Sequence, residues 1–555
     1  MPSELDRTYD AVLAAATGEG ATIQLGRDAE GRAIVANFPS TLPMLFDFFC
    51  AVHANVEAVI AGEERLTYAQ LNEQATRLAR SLAGTGIGKG DRVAIAMRNC
   101  PAWIVAHMAA LKAGAISTLI NGWWQTDEMR HALNLTGPKL VIADAGRAPR
   151  IEAACVDCRI VTLPVEKPLA EAIAPLLGEE ADLPQIAPED DATILFTSGS
   201  TGLAKGAVST HRAVTTGVYT YTIGLAVLRG IRESAGETVG DPKTLVNVPL
   251  FHVTGEVPVL LNSFVIGRTM VLMPKWDPGE ALRLIEREKL TYFVGVPTMS
   301  LELMQHPDRD KYDLSSLTDI AAGGAPRPVA HVERLERSFT GARPALGYGL
   351  TETNAVGCSN FWSNYHDKPA STGRPHAPMV EMAILGEGDR HLPQGETGEI
   401  AIRSAANIRG YWNDEAATRA AFTADGYFKT GDIGYLDADD YLFIVDRKKD
   451  IIIRGGENIS AAEVEAAIYT HHDVSETAVF GIADERLGEV PAAVVYSEKG
   501  GLDAEELIAF LGAHLAQFKL PAKIWLVDEP LPKLGTGKID KVSLRAEYRD
   551  RTAAA

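Results

Sequence analysis

The chain has 555 residues, too many for one hydrophobic core, so two or more domains are expected. Its net charge of −20 disfavours non-specific nucleic-acid binding, although it does not exclude a locally positive site for an anionic ligand. The start MPSELDRTYD lacks the features of a signal peptide, and the apolar stretch 257–267 is too short to span a bilayer.

The five cysteines favour a reducing compartment without structural disulfides, so we expect a cytoplasmic protein. Cys155 and Cys158 form a CxxC pair, but no second pair is present to complete a zinc site.

Helix and strand patterns alternate in the first part of the chain. Apolar residues recur at helical spacing over 68–82, and AWIVAHMAALKAG (102–114) is a second helix candidate. Strands are predicted at RVAIAM (92–97), AISTLI (115–120), TLVNVPL (244–250), TMVLM (269–273) and YFVGVP (292–297). Such alternation indicates a layered, largely parallel sheet.

Beyond residue 375 the pattern changes to short strands separated by glycine turns, which predicts a β-rich subdomain. The charged segment DRKKD (446–450) is followed by a new α/β pattern, with a helix over AAEVEAAI and strands AVFGIA and AAVVYS. We therefore predict an α/β fold, with a large N-terminal domain (1–446) of two layered α/β sheet subdomains plus a β-rich subdomain, and a small α+β C-terminal domain (447–555).

The segment TSGSTGLAKGA (197–207) follows an apolar strand candidate and has the composition of a phosphate loop. It is not a Walker loop, because its lysine precedes the last glycine and falls at the wrong spacing. Glycines still expose backbone N–H groups to phosphate oxygens, and hydroxyls and a lysine add donors and charge. A flexible surface turn is the alternative interpretation.

Four later clusters have both a structural and a chemical interpretation. YGLTET (348–353) offers an aromatic face and a carboxylate for Mg²⁺, or a capped helix start. TGDIG (430–434) offers an aspartate for a ribose diol, or an aspartate that stabilises its own turn. DRKKDIIIRGGEN (446–458) and GTGKID (535–540) add charged residues beside glycines.

The order of these five clusters resembles the acyl-adenylate-forming superfamily, which comprises acyl-CoA synthetases, peptide-synthetase adenylation domains and beetle luciferases. The resemblance covers residues 40–540 and is supported by PLFHVTG (249–255), VGVPTMS (294–300), AGGAP (322–326) and ETGEIAIRS (396–404). The family pattern has proline before the loop lysine, where this chain has Ala204.

The resemblance implies an ATP site in which Tyr348 stacks on adenine and Thr351 contacts the α-phosphate. It implies that Glu352 holds Mg²⁺ and that Asp432 and Arg447 bind the ribose. The implied ATP-binding residues are Thr197, Ser198, Gly199, Ser200, Thr201, Gly202, Lys205, Gly324, Ala325, Pro326, Tyr348, Asp432 and Arg447.

The resemblance also implies catalytic roles for Lys538, Glu352, Thr351 and His252. Lys538 would bridge the carboxylate and the α-phosphate, His252 would orient the carboxylate, and Lys449 would be the hinge about which a mobile C-terminal domain rotates. Gly455, Gly456 and Glu457 would line the path of CoA. The acyl pocket candidates are Val253, Thr254, Thr298, Met299 and Ala322, which are mostly small and apolar.

We therefore expect an enzyme that uses ATP, Mg²⁺ and CoA to convert a fatty or arylalkanoic acid to acyl-AMP and then to acyl-CoA. The alternatives are an acyl-AMP ligase that loads a separate carrier protein and a non-catalytic nucleotide-binding homologue. Only about fifteen residues follow GTGKID, which favours a stand-alone enzyme. No nucleic acid or integral membrane segment is expected, and a homodimer is compatible with the sequence.

Overall fold

The structure, a computed structural model, describes residues 2–154, 158–197, 204–324, 327, 329–339, 341–447, 450–454, 457–484, 486–534 and 538–553. Within these ranges no helix combines the length and the apolar character needed to cross a membrane.

The described part of the chain contains the following α-helices: α1 (Glu4–Thr17), α2 (Leu42–Val52), α3 (Tyr68–Gly84), α4 (Pro101–Lys112), α5 (Thr126–Thr136), α6 (Ala148–Ala154), α7 (Leu169–Ala172), α8 (His211–Ser234), α9 (Asn262–Ile266), α10 (Pro278–Glu288), α11 (Pro297–Gln305), α12 (Val329–Ser338), α13 (Trp362–Asp367), α14 (Glu415–Ala421), α15 (Ala461–Ile468), α16 (Ala504–Leu511) and α17 (Lys541–Ala553). A π-helical segment, Gly255–Leu261, leads into α9.

The strands are β1 (Leu25–Arg27), β2 (Ala33–Val35), β3 (Glu57–Ala61), β4 (Glu64–Thr67), β5 (Arg92–Ala96), β6 (Ile116–Leu119), β7 (Leu140–Asp144), β8 (Arg159–Leu163), β9 (Asp191–Thr197), β10 (Lys205–Thr210), β11 (Lys243–Val246), β12 (Thr269–Leu272), β13 (Tyr292–Gly295), β14 (Asp319–Gly323), β15 (Arg343–Gly349), β16 (Gly357–Phe361), β17 (Arg374–Pro375), β18 (Glu381–Leu385), β19 (Gly398–Arg403), β20 (Gly410–Tyr411), β21 (Phe428–Leu436), β22 (Leu442–Arg447), β23 (Ile451–Arg454), β24 (Glu457–Ser460), β25 (Glu476–Asp484), β26 (Gly488–Tyr496) and β27 (Lys523–Val527).

The first large sheet has the strand order β20-β10-β9-β6-β5-β7-β8. Strands β9, β6, β5, β7 and β8 are parallel, whereas β10 and β20 add antiparallel pairs at one edge. The residues of β6 and β7 are all buried, as are those of α4, because a parallel sheet covered on both faces needs continuous apolar runs. Pro101 begins α4 at a position where a missing N–H costs no helical hydrogen bond. The predicted parallel α/β layer is confirmed.

The second large sheet has the order β17-β16-β15-β14-β13-β11-β12-β3-β4. Its central strands β15, β14, β13, β11, β12 and β3 are parallel neighbours. Two smaller sheets follow: β18-β19-β21-β22, and a C-terminal sheet of β24-β23-β26-β25 with β27 beside β26. The predicted architecture of two α/β sheets, a β-rich part and a small C-terminal α+β part is confirmed, while the boundary at 446/447 stays a prediction.

The N-terminal helix α1 is tied to residues late in the chain through Asp6, whose side chain is buried. One Asp6 oxygen accepts hydrogen bonds from Asn364 at 3.0 Å and from the Tyr441 hydroxyl at 2.9 Å. Arg374 lies 3.4 Å from the same oxygen. Tyr441 directly precedes β22, so these hydrogen bonds connect the first turn of α1 to the small sheet that carries Arg447.

Two expectations from the sequence are wrong in detail. The predicted strand 244–250 ends at Val246, because the side chain of Asn99 bonds the carbonyls of Val246 and Val248 and the N–H of Leu250 in place of a neighbouring strand. The expectation of no disulfide is also wrong: Cys158 is disulfide-bonded. The other half of its CxxC pair, Cys155, lies outside the described residues, and Cys50, Cys100 and Cys358 are free.

Candidate active site

The candidate residues collect at the carboxyl ends of parallel strands, where open α/β sheets bind ligands. β9 ends at Thr197, β14 ends at Gly323 and β15 ends at Gly349, immediately before Thr351 and Glu352. The segment after β11 carries His252, and the segment after β13 carries Thr298 and Met299. Because these strands are neighbours, residues far apart in sequence meet at one edge of each large sheet.

A carboxylate with both oxygens engaged lies on the small sheet. Asp432 on β21 is the register partner of Arg447 on β22, and its Oδ1 lies 3.2 Å from Arg447 Nε. Its Oδ2 accepts a hydrogen bond from the Tyr348 hydroxyl at 2.7 Å. Burial, together with the charge of Asp432, raises the pKa of Tyr348 well above its ordinary value, so Tyr348 remains a neutral donor. Three predicted nucleotide-binding side chains therefore form one connected group.

Lys538 reaches this group from the C-terminal part of the chain. A methyl group placed on Gly324 would lie 3.3 Å from Lys538 Cε and 3.5 Å from Nζ. Burial lowers the pKa of Lys538 to about 8, with the positive charge of Arg447 acting in the same direction and Asp432 opposing it. The amine is thus close to Arg447 and Asp432, although no hydrogen-bond partner holds it there among the contacts described.

His252 also lies close to Lys538. Burial lowers the pKa of His252 to about 3, and the charge of Lys538 adds to the effect. The imidazole is therefore neutral at physiological pH, and its Nδ1 accepts the N–H of Thr254 at 3.3 Å. This bond leaves Nε2 as the nitrogen that carries the proton and can donate to an oxyanion.

Glu352 lies at the end of β15 and is almost fully buried. Burial raises its pKa, while hydrogen bonds from Tyr411 and Thr197 act against that shift. The Tyr411 hydroxyl donates to Glu352 Oε1 at 3.0 Å, and the Lys205 ammonium lies 5.0 Å from the centre of the same tyrosine ring. A buried carboxylate with hard oxygen atoms, supported by two hydroxyl donors, suits a small divalent cation.

Tyr411 was not among the residues singled out from the sequence. It lies on β20, whose antiparallel pairing with β10 places Tyr411 opposite Ala207 and so beside Lys205. The only signal was the GYW stretch at 410–412, and nothing in that stretch indicates a partner near the glycine-rich loop.

Of the acyl pocket candidates, Val253 and Thr254 directly follow His252, Thr298 and Met299 lie in α11 after β13, and Ala322 lies in β14. Val253, Met299 and Ala322 are buried, and Thr254 and Thr298 are partly exposed. The Met299 sulfur accepts a hydrogen bond from Asn247 Nδ2 at 3.1 Å. Phe251, next to His252, packs edge-on against the half-exposed ring of Trp123 at 5.0 Å.

Several predicted residues cannot be placed. Ser198, Gly199, Ser200, Thr201, Gly202, Ala325, Pro326, Lys449, Gly455 and Gly456 lie outside the described residues, and of Glu457 only the backbone, at the start of β24, is described. Thr351 begins a short 3-10 turn, Thr351–Thr353, whose preceding cap residue is Leu350 rather than the threonine.

Comparison with known proteins gives two family matches. The model of the family described as AMP-binding enzyme matches residues 46–412, and that of the AMP-binding enzyme C-terminal domain matches residues 463–538. A long-chain-fatty-acid–CoA ligase of Bacillus subtilis is 34% identical over 513 residues, covering 86% of this chain and 89% of the relative. A feruloyl-CoA synthase of Amycolatopsis is 35% identical over 493 residues, covering 88% and 96%.

Among solved structures, o-succinylbenzoate coenzyme A synthetase from Bacillus subtilis, in complex with ATP and magnesium ion, is similar throughout. It superposes with a TM-score of 0.77 at 28% identity, over 90% of this chain and 99% of that one.

Proposed function

We propose that this chain activates an apolar carboxylic acid at the site around Lys538. The chain belongs to the AMP-binding enzyme family, and it is an AMP-forming acyl-CoA synthetase with ATP and CoA as substrates. The observation that carries this proposal is the position of Lys538 beside Gly324, close both to the neutral His252 and to the Asp432–Arg447 pair that Tyr348 joins.

In the proposed first step an oxygen of the acid attacks the α-phosphorus of ATP. A bond forms between that oxygen and phosphorus, the bond to the bridging oxygen of the β-phosphate breaks, and pyrophosphate leaves. Both reactants are anionic, so the barrier falls when positive charge is held between them in a dry site. Lys538 supplies that charge, and His252 Nε2–H orients the carboxylate.

The remaining residues hold the nucleotide. Asp432 accepts hydrogen bonds from the ribose hydroxyls, with Arg447 fixing its carboxylate, and Tyr348 presents its ring to the adenine. Thr197, Thr351 and Lys205 face the phosphates from the strand ends. We propose that Glu352 holds Mg²⁺, which would neutralise phosphate charge when bound; Tyr411 and Thr197 keep the Glu352 carboxylate oriented.

In the second step the carbonyl group of the acyl-adenylate must be approached by the CoA thiolate instead of by ATP. The CoA thiolate attacks the carbonyl carbon, a carbon–sulfur bond forms, and the bond from that carbon to the phosphate oxygen breaks to release AMP. In the proposed first step Lys538 lies beside the carboxylate that becomes this carbonyl, so we expect it to withdraw before a thiol attacks. We therefore propose that the C-terminal domain, residues 447–555, rotates about Lys449 between the two steps and presents Gly455, Gly456 and Glu457 to CoA.

The proposed acid has an apolar body, fatty or arylalkanoic, because the acyl pocket candidates Val253, Met299 and Ala322 are apolar and buried. One relative is named for long-chain fatty acids and another for a feruloyl acid, which supports both forms. The test is acid-dependent ATP–pyrophosphate exchange over a panel of acids, followed by acyl-CoA formation with CoA as the only thiol. Exchange without thioester formation would favour the carrier-protein alternative instead.

A further inference from the structure

His131 on α5 is joined by a hydrogen bond to the residue that directly precedes Lys205. Its Nε2 lies 2.9 Å from the carbonyl oxygen of Ala204. Because a carbonyl oxygen can only accept, Nε2 is the nitrogen that carries the proton in this bond. The two residues are 73 positions apart in the sequence, so the bond connects α5 to the start of β10.

The turn that precedes α5 contacts the end of the neighbouring strand β9. The indole of Trp124 packs edge-on against Phe196, with the ring centres 5.3 Å apart, and Phe196 directly precedes Thr197 at the end of β9. Arg150 on α6 donates hydrogen bonds to the carbonyls of Trp124 at 2.6 Å and of Gly122 at 2.9 Å. The turn is therefore held from α6 while it packs against β9.

These two contacts fall at adjacent positions of the first large sheet. Thr197 and Lys205 are register partners in the antiparallel pair of β9 and β10. Trp124 packs against the residue before Thr197, and His131 bonds the residue before Lys205. The helix α5 and its preceding turn thus contact both strands next to two of the residues proposed to face the phosphates.

Lys205 has a long, flexible side chain, so the reach of its ammonium depends on where its backbone is held. The ammonium lies 5.0 Å from the centre of the Tyr411 ring, a face that attracts a cation without neutralising it. Ala204 occupies the position where the family pattern has proline, so no ring fixes its φ. The hydrogen bond from His131 supplies a restraint at that position.

We propose that His131 is a positioning residue for Lys205. By holding the carbonyl of Ala204, it places the backbone of Lys205 so that the ammonium meets the phosphates of ATP. The proposal rests on the proposed function, because it takes Lys205 as a phosphate-binding residue. His131 acts through the backbone of Ala204 and not by contact with ATP. Loss of its hydrogen bond is therefore expected to weaken the binding of ATP while the KM values of the acid and of CoA stay unchanged.

The experiment measures the Kd of magnesium–ATP by isothermal titration calorimetry, and the KM values of ATP, acid and CoA in the complete reaction. His131→Phe and His131→Ala both remove the donor and are expected to raise the Kd and KM of ATP by roughly 3- to 10-fold, the value of one neutral hydrogen bond. His131→Gln keeps an N–H donor and is expected to recover part of the loss. His53→Phe is the matched control, because His53 is also partly buried and its Nε2 bonds the carbonyl of Val265 at 3.1 Å.

A double-mutant cycle tests whether His131 acts through Lys205. If it does, His131→Phe has little further effect on the Kd of ATP once Lys205 has been replaced by alanine. Full additivity of His131→Phe and Lys205→Ala would overturn the proposal, because His131 would then affect ATP by another route. A fall in Tm for both donor-removing variants at an unchanged Kd would assign His131 a purely structural role, and would overturn it as well.

The remaining outcomes separate the two levels of inference. If Lys205→Ala weakens ATP binding and the loss of the His131 donor does not, the positioning role is overturned while the proposed function stands. If Lys205→Ala leaves the Kd of ATP unchanged, the proposed phosphate role of Lys205 fails, and the role of His131 fails with it. An equal loss of ATP affinity in His53→Phe would assign the effect to general loosening of the fold and would also overturn the proposal.

Discussion

Lys538 packs against Gly324, a residue that no other amino acid could replace without moving the lysine. A methyl group on Gly324 would lie 3.3 Å from Lys538 Cε, and the backbone at this position has a φ of +75°. Such a conformation is readily adopted only by glycine. Because Gly324 follows a strand of the second large sheet and Lys538 follows the C-terminal sheet, their contact defines one particular placement of the two parts of the enzyme.

The first prediction concerns Gly324→Ala. Crowding of the lysine and strain at positive φ are expected to slow acyl-adenylate formation by roughly 10- to 100-fold, the order that a small misplacement at a reacting centre produces. Thioester formation from supplied acyl-AMP should be much less affected. Gly388→Ala is the matched control, since Gly388 also has a positive φ, +68°, but a Cβ there would meet nothing within 4 Å. Equal losses in both variants would assign the effect to backbone strain.

The second prediction is that Lys538→Ala nearly abolishes ATP–pyrophosphate exchange, by about 10²–10³-fold, because the developing charge loses its positioned cation. The same variant should convert supplied acyl-AMP and CoA to thioester at a rate near that of the wild type. Lys541→Ala, which removes an ion pair with Glu465 at 2.6 Å, serves as the control for the integrity of the C-terminal part. Parallel loss of both half-reactions in Lys538→Ala would contradict the two-placement mechanism.

The third prediction is a pH dependence. In the proposed mechanism Lys538 acts in its protonated form, and burial lowers its pKa to about 8. The kcat/KM of adenylation, which reports on the free enzyme, should therefore fall as pH rises through about 8. Lys538→Arg, whose guanidinium does not lose its proton in this range, should lack that decline even if its maximal rate is lower. A decline at the same pH in the arginine variant would assign the titration to another group.

The fourth prediction concerns the metal. Glu352→Gln is expected to raise the Mg²⁺ concentration needed for half-maximal exchange and to lower the maximal rate, because an amide is a much poorer ligand for a hard cation than a carboxylate. Titration with Mg²⁺ at fixed ATP measures both effects. An unchanged Mg²⁺ requirement would remove Glu352 from the metal site.

The fifth prediction separates the hydroxyl of Tyr411 from its ring. Tyr411→Phe keeps an aromatic face under Lys205 but removes the donor to Glu352, so the Mg²⁺ requirement should rise by roughly 10-fold, the value of one hydrogen bond to a charged group. Tyr427→Phe is the matched control, because its hydroxyl donates to Glu381, which lies outside the site, at 3.3 Å. If both variants behave like the wild type, Tyr411 has no positioning role.

Much of this arrangement was predictable from the sequence because the local signals were strong. Continuous apolar runs indicated the buried parallel strands, and the glycine-rich stretches marked strand ends. The resemblance implied that Asp432 and Arg447 both bind the ribose, and the register of β21 and β22 places the two residues directly opposite each other.

Other features depend on contacts between distant segments, which no local pattern encodes. Tyr411 meets Lys205 only because β20 adds to the edge of the first sheet beside β10. Glu256 reads as a lone polar residue within an apolar stretch, and only packing against α4 reveals that it faces His107. The shortened strand after residue 243 has the same origin, because Asn99 supplies its hydrogen bonds from another layer.

The attachment of Asp6 bears on how shortened or tagged versions of the enzyme should be designed. The family match begins at residue 46, whereas Asp6 in the first helix accepts a hydrogen bond from Tyr441. Tyr441 directly precedes β22, the strand that ends at Arg447. A recombinant fragment trimmed to the family boundary would lose these hydrogen bonds, and if Arg447 binds ATP as proposed we expect the fragment to bind ATP more weakly. An affinity tag is therefore better fused to the C-terminus with a cleavable linker than placed directly ahead of Ser3, whose hydroxyl donates to Asn364.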